Sequence, residues 1–242
     1  MFQTDPFSLI VLLVGLSLLP FVAMVATSYL KIVVVMSLIR NALGIQSIPP
    51  NMVINALAMI LTFYIMAPMA GESWEIAKTE LAKSPAAANA AAPGNSAAGG
   101  SQPSAAAHVA GWFETDAIAK AAEPFRAFLS HHTSDRERAF FVRTAERLWA
   151  KNPDEPAEID PESFYILIPS FCVSELTKAF QIGFLVYLPF IAIDIIVSNI
   201  LLAMGMMMVS PVTISLPFKL LLFVMVDGWT LLIQGLVRGY II

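Results

Sequence analysis

The sequence predicts an all-α, membrane-associated fold in which two apolar helical hairpins carry a small helical lobe inserted between them. Of the 242 residues, 57% are hydrophobic and only 13% are charged, against about a quarter charged in a typical soluble domain. Mean hydropathy is +0.73. A polar block with 14 acidic and nine basic residues, at positions 70–163, separates the two apolar blocks. Composition and order together therefore predict the hairpin, lobe, hairpin arrangement.

The first apolar hairpin is predicted over residues 1–70. Residues 7–30 form an uncharged run of 24 interrupted by Pro20, and residues 52–69 form an uncharged run of 18. Either run could cross a hydrocarbon core, which needs about 20 helical residues. The segment between them ends in a glycine and a Pro-Pro pair and is interpreted as the connection of the hairpin. No basic residue precedes the first run, so we expect it to stay on the protein rather than to be removed as a signal peptide.

The polar insert is predicted over residues 71–163. Residues 83–110 are rich in Ala, Pro, Gly and Ser and poor in large apolar groups, so they are predicted to form a flexible linker. Residues 112–151 carry apolar side chains at helical spacing and predict a small helical lobe.

The lobe is expected to contain two helices. Pro124 should divide or kink the first one. The second should begin at a capping box formed by Ser134 and Glu137 and stop at Asn152 and Pro153. The predicted core of the lobe consists of Phe125, Phe128, Phe140, Phe141 and Trp149.

The second apolar hairpin, predicted over residues 164–242, differs from a simple membrane hairpin because charges lie inside it. Residues 211–237 include 16 Leu, Ile, Phe, Val and Met residues. These favour insertion by about 5–10 kcal/mol, whereas the two charges in the segment cost about 5–7 kcal/mol at mid-bilayer. Because the two terms nearly cancel, the charged side should face protein or water.

The charges within the apolar blocks are balanced, and we expect them to form buried ion pairs. Glu175 and Lys219 are one pair to test. The pairs either hold helices in register or act directly in conduction or gating, and the sequence leaves both open. The predicted ion-pair residues are Lys31, Lys178 and Lys219 with Glu175, Asp194 and Asp227.

Orientation in the membrane follows from the distribution of basic residues. The connection that carries Lys31 and Arg40 has no acidic residue and is expected on the cytoplasmic side. The acidic middle block should then lie outside the cytoplasm.

Motifs of common enzymes are absent from the sequence. There is no phosphate-binding P-loop, no H-E-x-x-H, no G-x-S-x-G and no C-x-x-C, so we expect neither catalysis nor a cofactor nor a metal site. His131 and His132 are expected to be solvated turn residues, with a titratable role as the alternative. The single Cys172 is expected to be a small buried apolar group.

Several long stretches resemble one known family. The stretches "SLIRNALGIQSIPPN", "TFYIMAPM", "PFRAFLSHHT", "SELTKAFQIGF" and "AMGMMMVSPVTISLPFKLLLFVMVDGW" occur in the family's order along nearly the whole chain. They resemble the export-gate protein shared by type III secretion injectisomes and the flagellar export apparatus, the SctR/YscR/HrcR/FliP family. The 83–108 stretch departs from the family pattern in being longer. The N-terminus without a signal peptide favours the injectisome branch.

The resemblance implies a non-enzymatic subunit of a secretion machine in the bacterial inner membrane. It implies a homo-oligomer, a pentamer, that joins two smaller gate subunits (SctS/FliQ-like and SctT/FliR-like) in a helical export gate for unfolded proteins, with no nucleic acid bound. The polar lobe would then lie on the periplasmic side. Two rival functions remain open from the residues alone, a small-solute secondary transporter and a membrane-embedded enzyme.

The resemblance also assigns a role to the Met-rich turn in "LLAMGMMMVSP", residues 201–211. It implies that Met206, Met207 and Met208 line a constriction, with Gly205 and Pro211 shaping the backbone of the gate loop. Methionine side chains are flexible and polarizable, so a ring of them could seal a pore and still adapt to a passing polypeptide. The alternative is that these methionines fill irregular core.

Overall fold

The computed structural model describes residues 6–45, 48–83, 117–150 and 158–241, and every regular element in these ranges is an α-helix, which confirms the all-α prediction. Apart from Lys83, the predicted linker 83–110 lies outside the described residues, as does the predicted stop at Asn152 and Pro153. The helices are α1 (Pro6–Val25), α2 (Tyr29–Ala42), α3 (Asn51–Lys83), α4 (Ala117–Ala121), α5 (Glu123–His132), α6 (Asp135–Leu148), α7 (Phe164–Ala203), α8 (Pro211–Met225) and α9 (Gly228–Arg238).

The chain divides into two compact units. The larger unit comprises Met1–Ile65 and His132–Ile242, and the smaller unit comprises Met66–His131. In the smaller unit, the Nζ atom of Lys120 on α4 lies 2.9 Å from Oε2 of Glu80 on α3.

Helix α2 supplies the centre of the core of the larger unit. Its buried residues Ile32, Val35, Met36 and Ile39 follow the i, i+3, i+4, i+7 spacing of one helical face. They pack in one cluster with residues of the later helices, namely Ala179, Phe190, Phe223, Leu232 and Leu236. The predicted hairpin connection is therefore wrong in one respect, because most of residues 31–51 form a buried helix rather than a loop.

Helices α2 and α7 approach each other closely at Gly183. A Cβ atom at this position would lie 2.3 Å from Cδ1 of Leu38, well inside van der Waals contact. Any larger residue would require the Leu38 side chain to shift, so Gly183 allows α2 and α7 to pack closely at this point.

Of the three predictions about helix ends in the lobe, one is confirmed and two are wrong. The division at Pro124 is confirmed, since α4 ends at Ala121 and Pro124 is the second residue of α5. Ser134 does precede α6, but its side chain makes no capping hydrogen bond, so the predicted capping box is wrong. The Ser134 N–H instead donates to Oγ of Ser174 on α7, 2.9 Å away. Helix α6 also ends earlier than predicted, at Leu148.

Several helices are compatible with a membrane. Asn51–Glu80 and Phe164–Ala203 are each long and apolar enough to cross one, and two bent helix pairs also pass when each is taken together. These pairs are Leu13–Val25 with Tyr29–Ala42, bent by 54°, and Pro211–Met225 with Gly228–Arg238, bent by 59°. At 1.5 Å per residue the 40-residue α7 is about 60 Å long, roughly twice the hydrocarbon thickness.

Candidate functional site

The first buried ion cluster joins α2 to α7. Nζ of Lys31 lies 3.0 Å from Oε2 of Glu175, and these side chains are only 4% and 0% exposed. Nζ of Lys178 contacts the other carboxylate oxygen, also at 3.0 Å. The Tyr240 hydroxyl, just beyond α9, donates to Oε2 of Glu175. The carboxylate thus receives three donors, which is how a buried charge becomes tolerable.

Tyr240 and His132 complete this cluster, and the sequence reasoning missed both. Nζ of Lys31 lies 3.6 Å from the centroid of the Tyr240 ring, a cation–π distance. The His132 ring is 5.2 Å from the Tyr240 ring, and the His132 carbonyl accepts a 2.7 Å hydrogen bond from Lys178. Burial, reinforced by the Glu175 carboxylate, raises the pKa of Tyr240, so the hydroxyl keeps its proton. His132 is buried, contrary to its prediction as a solvated turn residue, whereas His131 is exposed.

The second buried ion cluster joins α8 to α7 and to the end of α2. Nζ of Lys219 lies 2.6 Å from Oδ2 of Asp194, and Oγ of Ser215 donates to Oδ1 of Asp194 at 2.6 Å. Nζ of Lys219 also donates to the carbonyl of Ala42, the last residue of α2, at 3.2 Å. Carbonyls in the last turn of a helix lack an intrahelical partner, and a cation there is favourable. Lys219 therefore satisfies both a carboxylate and a helix end.

The six predicted ion-pair residues are distributed unevenly. Five of them fall into the two clusters, each paired within the single chain. Glu175 and Lys219 are not partners of each other here, because each contacts a different oppositely charged residue. Asp227 stands apart on the surface between α8 and α9, with its backbone in the left-handed region at φ 50°.

The Met-rich turn is an exposed connection with an ordered backbone. Helix α7 ends in a Schellman motif, in which the Met206 N–H donates to the Leu201 carbonyl and the Gly205 N–H donates to the Leu202 carbonyl. Gly205 has φ +72°, a conformation that side chains disfavour. The turn ends at Pro211, the first residue of α8.

The three consecutive methionines of this turn are increasingly exposed along the chain. Met206 is 44% exposed, Met207 83% and Met208 100%. In this single chain they are therefore not core filler, and their side chains are available to contact other molecules.

The aromatic residues predicted as the lobe core do not form one buried cluster. Phe125 and Phe128 belong to the smaller unit, whereas Phe140, Phe141 and Trp149 belong to the larger one. Only Phe128 is buried, and Phe140 and Trp149 are more than half exposed. Phe140 contacts Phe141 edge-to-face at 5.3 Å. Within the described ranges, no three His, Cys, Asp or Glu residues are grouped so that they could hold a metal ion.

Comparison with known proteins identifies strong similarities over the whole length. The family model described as the FliP family matches residues 12–236. The chain is 48% identical to the Yop proteins translocation protein R of Yersinia pestis over 236 residues, 98% of this chain and 97% of that protein. It is 45% identical to the hypersensitivity response secretion protein HrcR of Ralstonia nicotianae over 233 residues, 96% of each chain. It is 37% identical to the flagellar biosynthetic protein FliP of Bacillus subtilis, over 96% of this chain and 90% of that protein.

Proposed function

Since the chain belongs to the FliP family, we propose that it is a subunit of the export gate of a bacterial type III secretion apparatus, through which unfolded proteins cross the inner membrane. The names of its relatives concern secretion, translocation and flagellar biosynthesis, which supports a role in a secretion apparatus. Identities to the secretion and translocation proteins range from 36% to 48%, against 37% to the flagellar protein, and we assign the chain to the injectisome branch on the higher of these values. The role is one of passage rather than catalysis.

The observation that carries the proposal is that the charges within the apolar helices are satisfied inside the chain while large apolar side chains face outward. Glu175, Lys31 and Lys219 are buried, and their partners Lys178 and Asp194 are only partly exposed, so most of the charge in these helices is withdrawn from their surroundings. On α7 and α8 the outward side chains include Phe180, Phe184, Leu185, Phe218, Leu221 and Val224. An exposed apolar surface that extends along two helices must be covered by other protein or by lipid. We assign it to contacts with sister copies in a pentamer and with the two smaller gate subunits (SctS/FliQ-like and SctT/FliR-like).

The Met-rich turn is proposed as the seal of the channel. Removing apolar surface from water favours association by about 25 cal/mol per Å². Met206, Met207 and Met208 from several copies would therefore cluster around a common axis and exclude water and ions from a closed pore. Their unbranched, flexible side chains would rearrange around a passing polypeptide of almost any sequence.

The proposed orientation places the middle block on the periplasmic side of the inner membrane. Lys31 no longer contributes to this argument, since it lies within α2 and is paired with Glu175. The basic residue that remains near the α2–α3 connection is Arg40, which hydrogen-bonds the Pro49 carbonyl and the Asn51 side chain. This basic residue favours the cytoplasmic side for the α2–α3 connection, and the insert, at the other end of the α3 span, is then assigned to the opposite side.

The seal is tested by ion conductance through the complex co-expressed with its two companion subunits. Replacing Met206, Met207 and Met208 together by Ala should raise the resting ion leak, because three side chains per copy are shortened at the constriction. The matched control replaces Met52 and Met225, which are also strongly exposed but lie outside the turn, by Ala. Unchanged conductance in the triple variant, or an equal rise in the control, would contradict the seal. A native mass of the complex checks the copy number separately, so assembly and sealing are judged apart.

A further inference from the structure

Helix α9 is joined to α8 by a bent two-residue connection at its start, and Tyr240, just beyond its end, contacts the Lys31–Glu175 cluster. We propose that Tyr240 is a latch that fastens the end of α9 to the Lys31–Glu175 cluster, and that α9 swings about a hinge at Val226 and Asp227 when the latch is released. This device is independent of the proposed export role.

The apolar packing under α9 is incomplete. Gly228, Leu232 and Leu236 are its buried residues. Between α9 and the helices α7 and α8 lies an open apolar groove of about 570 Å³. Residues along this groove include Ile182, Pro189, Leu222, Leu231 and Gly235. Leu232 and Leu236 hold α9 against the core cluster, and the groove limits the further apolar contacts that α9 makes with α7 and α8.

The hinge lies at the start of α9. Helix α8 ends at Met225, and the α8–α9 pair bends by 59° across Val226 and Asp227. Asp227 is exposed and adopts the left-handed conformation, which is uncommon for residues other than glycine. Helix α8 has its own anchor in the Lys219–Asp194 pair, so a movement at the hinge would displace α9 and leave α8 in place.

The latch lies at the other end of α9. Tyr240 is buried, and three contacts of its side chain are to elements other than α8 and α9. Its hydroxyl donates to Glu175 of α7, its ring lies 3.6 Å from Nζ of Lys31 of α2, and its ring is 5.2 Å from that of His132 at the end of α5. A hydroxyl bonded to a buried carboxylate is among the stronger hydrogen bonds in proteins. These contacts therefore add a polar attachment at the end of α9, beyond the packing of Leu236 in the core.

Hydrogen exchange on the full chain in detergent micelles tests the latch. Tyr240→Phe removes the hydroxyl and keeps the ring over Lys31, and Tyr240→Ala removes both. We expect amide exchange in residues 229–238 to rise about tenfold or more in Tyr240→Phe and further in Tyr240→Ala, whereas exchange in residues 30–42 should change less than about twofold. The matched control Tyr64→Phe removes the same atom from an exposed tyrosine and should change neither segment.

Two results would overturn the latch. One is exchange in residues 229–238 that stays within about twofold of the unmodified chain in Tyr240→Phe. The other is an equal rise in residues 30–42, which would mean general destabilisation rather than release of α9. Tyr240→Phe decides the question if Tyr240→Ala does not fold. Neither readout involves export or conductance, so the latch and the proposed function can fail separately.

Discussion

Replacing Glu175 by Gln should be the most damaging single change of charge in the protein. The change keeps the shape of the side chain and removes the countercharge of Lys31, whose side chain is only 4% exposed. Removing one partner of a buried ion pair costs about 3–5 kcal/mol, because the other charge stays buried and uncompensated. Lys178 suffers less, since its side chain is partly exposed and still donates to the His132 carbonyl. We therefore expect Glu175→Gln to lower the free energy of unfolding by about 3–5 kcal/mol.

Removing the Lys31 charge should cost less stability than removing the Glu175 carboxylate. Lys31→Met leaves Glu175 with two donors, Lys178 and Tyr240. The double variant removes both buried charges and should be more stable than the sum of the single changes predicts. We expect a coupling free energy of at least about 1 kcal/mol between the two positions.

The assay uses the protein's single cysteine as the reporter. Cys172 is partly buried on α7, three residues before Glu175, and reacts with a thiol-specific dye once the helix is exposed. Dye labelling of Cys172 is measured for each variant in the same micelles as the concentration of a denaturing detergent is increased. The matched control is Glu75→Gln, in which the partner Lys78 lies at 2.8 Å in an exposed pair, and this change should cost less than about 0.5 kcal/mol. The reasoning would be refuted if Glu175→Gln lowered the free energy of unfolding no more than the control does. It would also be refuted if the effects of Glu175→Gln and Lys31→Met were strictly additive in the double variant.

Two further changes probe other parts of the larger unit. Gly183→Ala should destabilise by about 1–3 kcal/mol in the same assay, because the new Cβ would meet Leu38 at 2.3 Å. Gly15→Ala, in the same unit and with no atom within 4 Å, should be neutral or stabilising. Equal effects at the two glycines would contradict the close approach. Asp194→Asn should cost about 1–3 kcal/mol, which is less than the Glu175 change because the Asp194 side chain is 33% exposed. A double charge reversal of Glu175 and Lys219 should not restore stability, because each residue is paired with a different partner. Rescue by that reversal would instead support a pairing between these two residues.

The helical class and the position of several breaks could be predicted because they depend on local chemistry. Pro124 cannot continue a helix from α4, and Gly205 and Pro211 bracket the turn after α7 for equally local reasons. The sequence also predicts that charges in the apolar blocks are compensated, because an isolated charge in apolar surroundings costs too much free energy. These inferences needed no knowledge of which helices touch.

What could not be predicted depends on contacts between distant segments. Lys31 meets Glu175 because α2 is a buried helix against α7, whereas the sequence around Lys31 predicts a connection between helices. Ser134 fails to form its capping box, although its sequence pattern is correct, and its own amide is bonded by the Ser174 hydroxyl on another helix. Tyr240 gave no signal, because a lone tyrosine after an apolar helix is equally typical of a membrane interface.

The hydrogen bonds inside the Met-rich turn have a consequence for where that turn can reside. The amides of Gly205, Met206 and Met207 all donate to carbonyls within the same short stretch. A backbone that has already paired its own N–H groups gives up little hydration when water is withdrawn. Residues 205–207 can therefore pass from water to an apolar environment with their N–H groups already bonded, and most of the change in solvation falls on the methionine side chains.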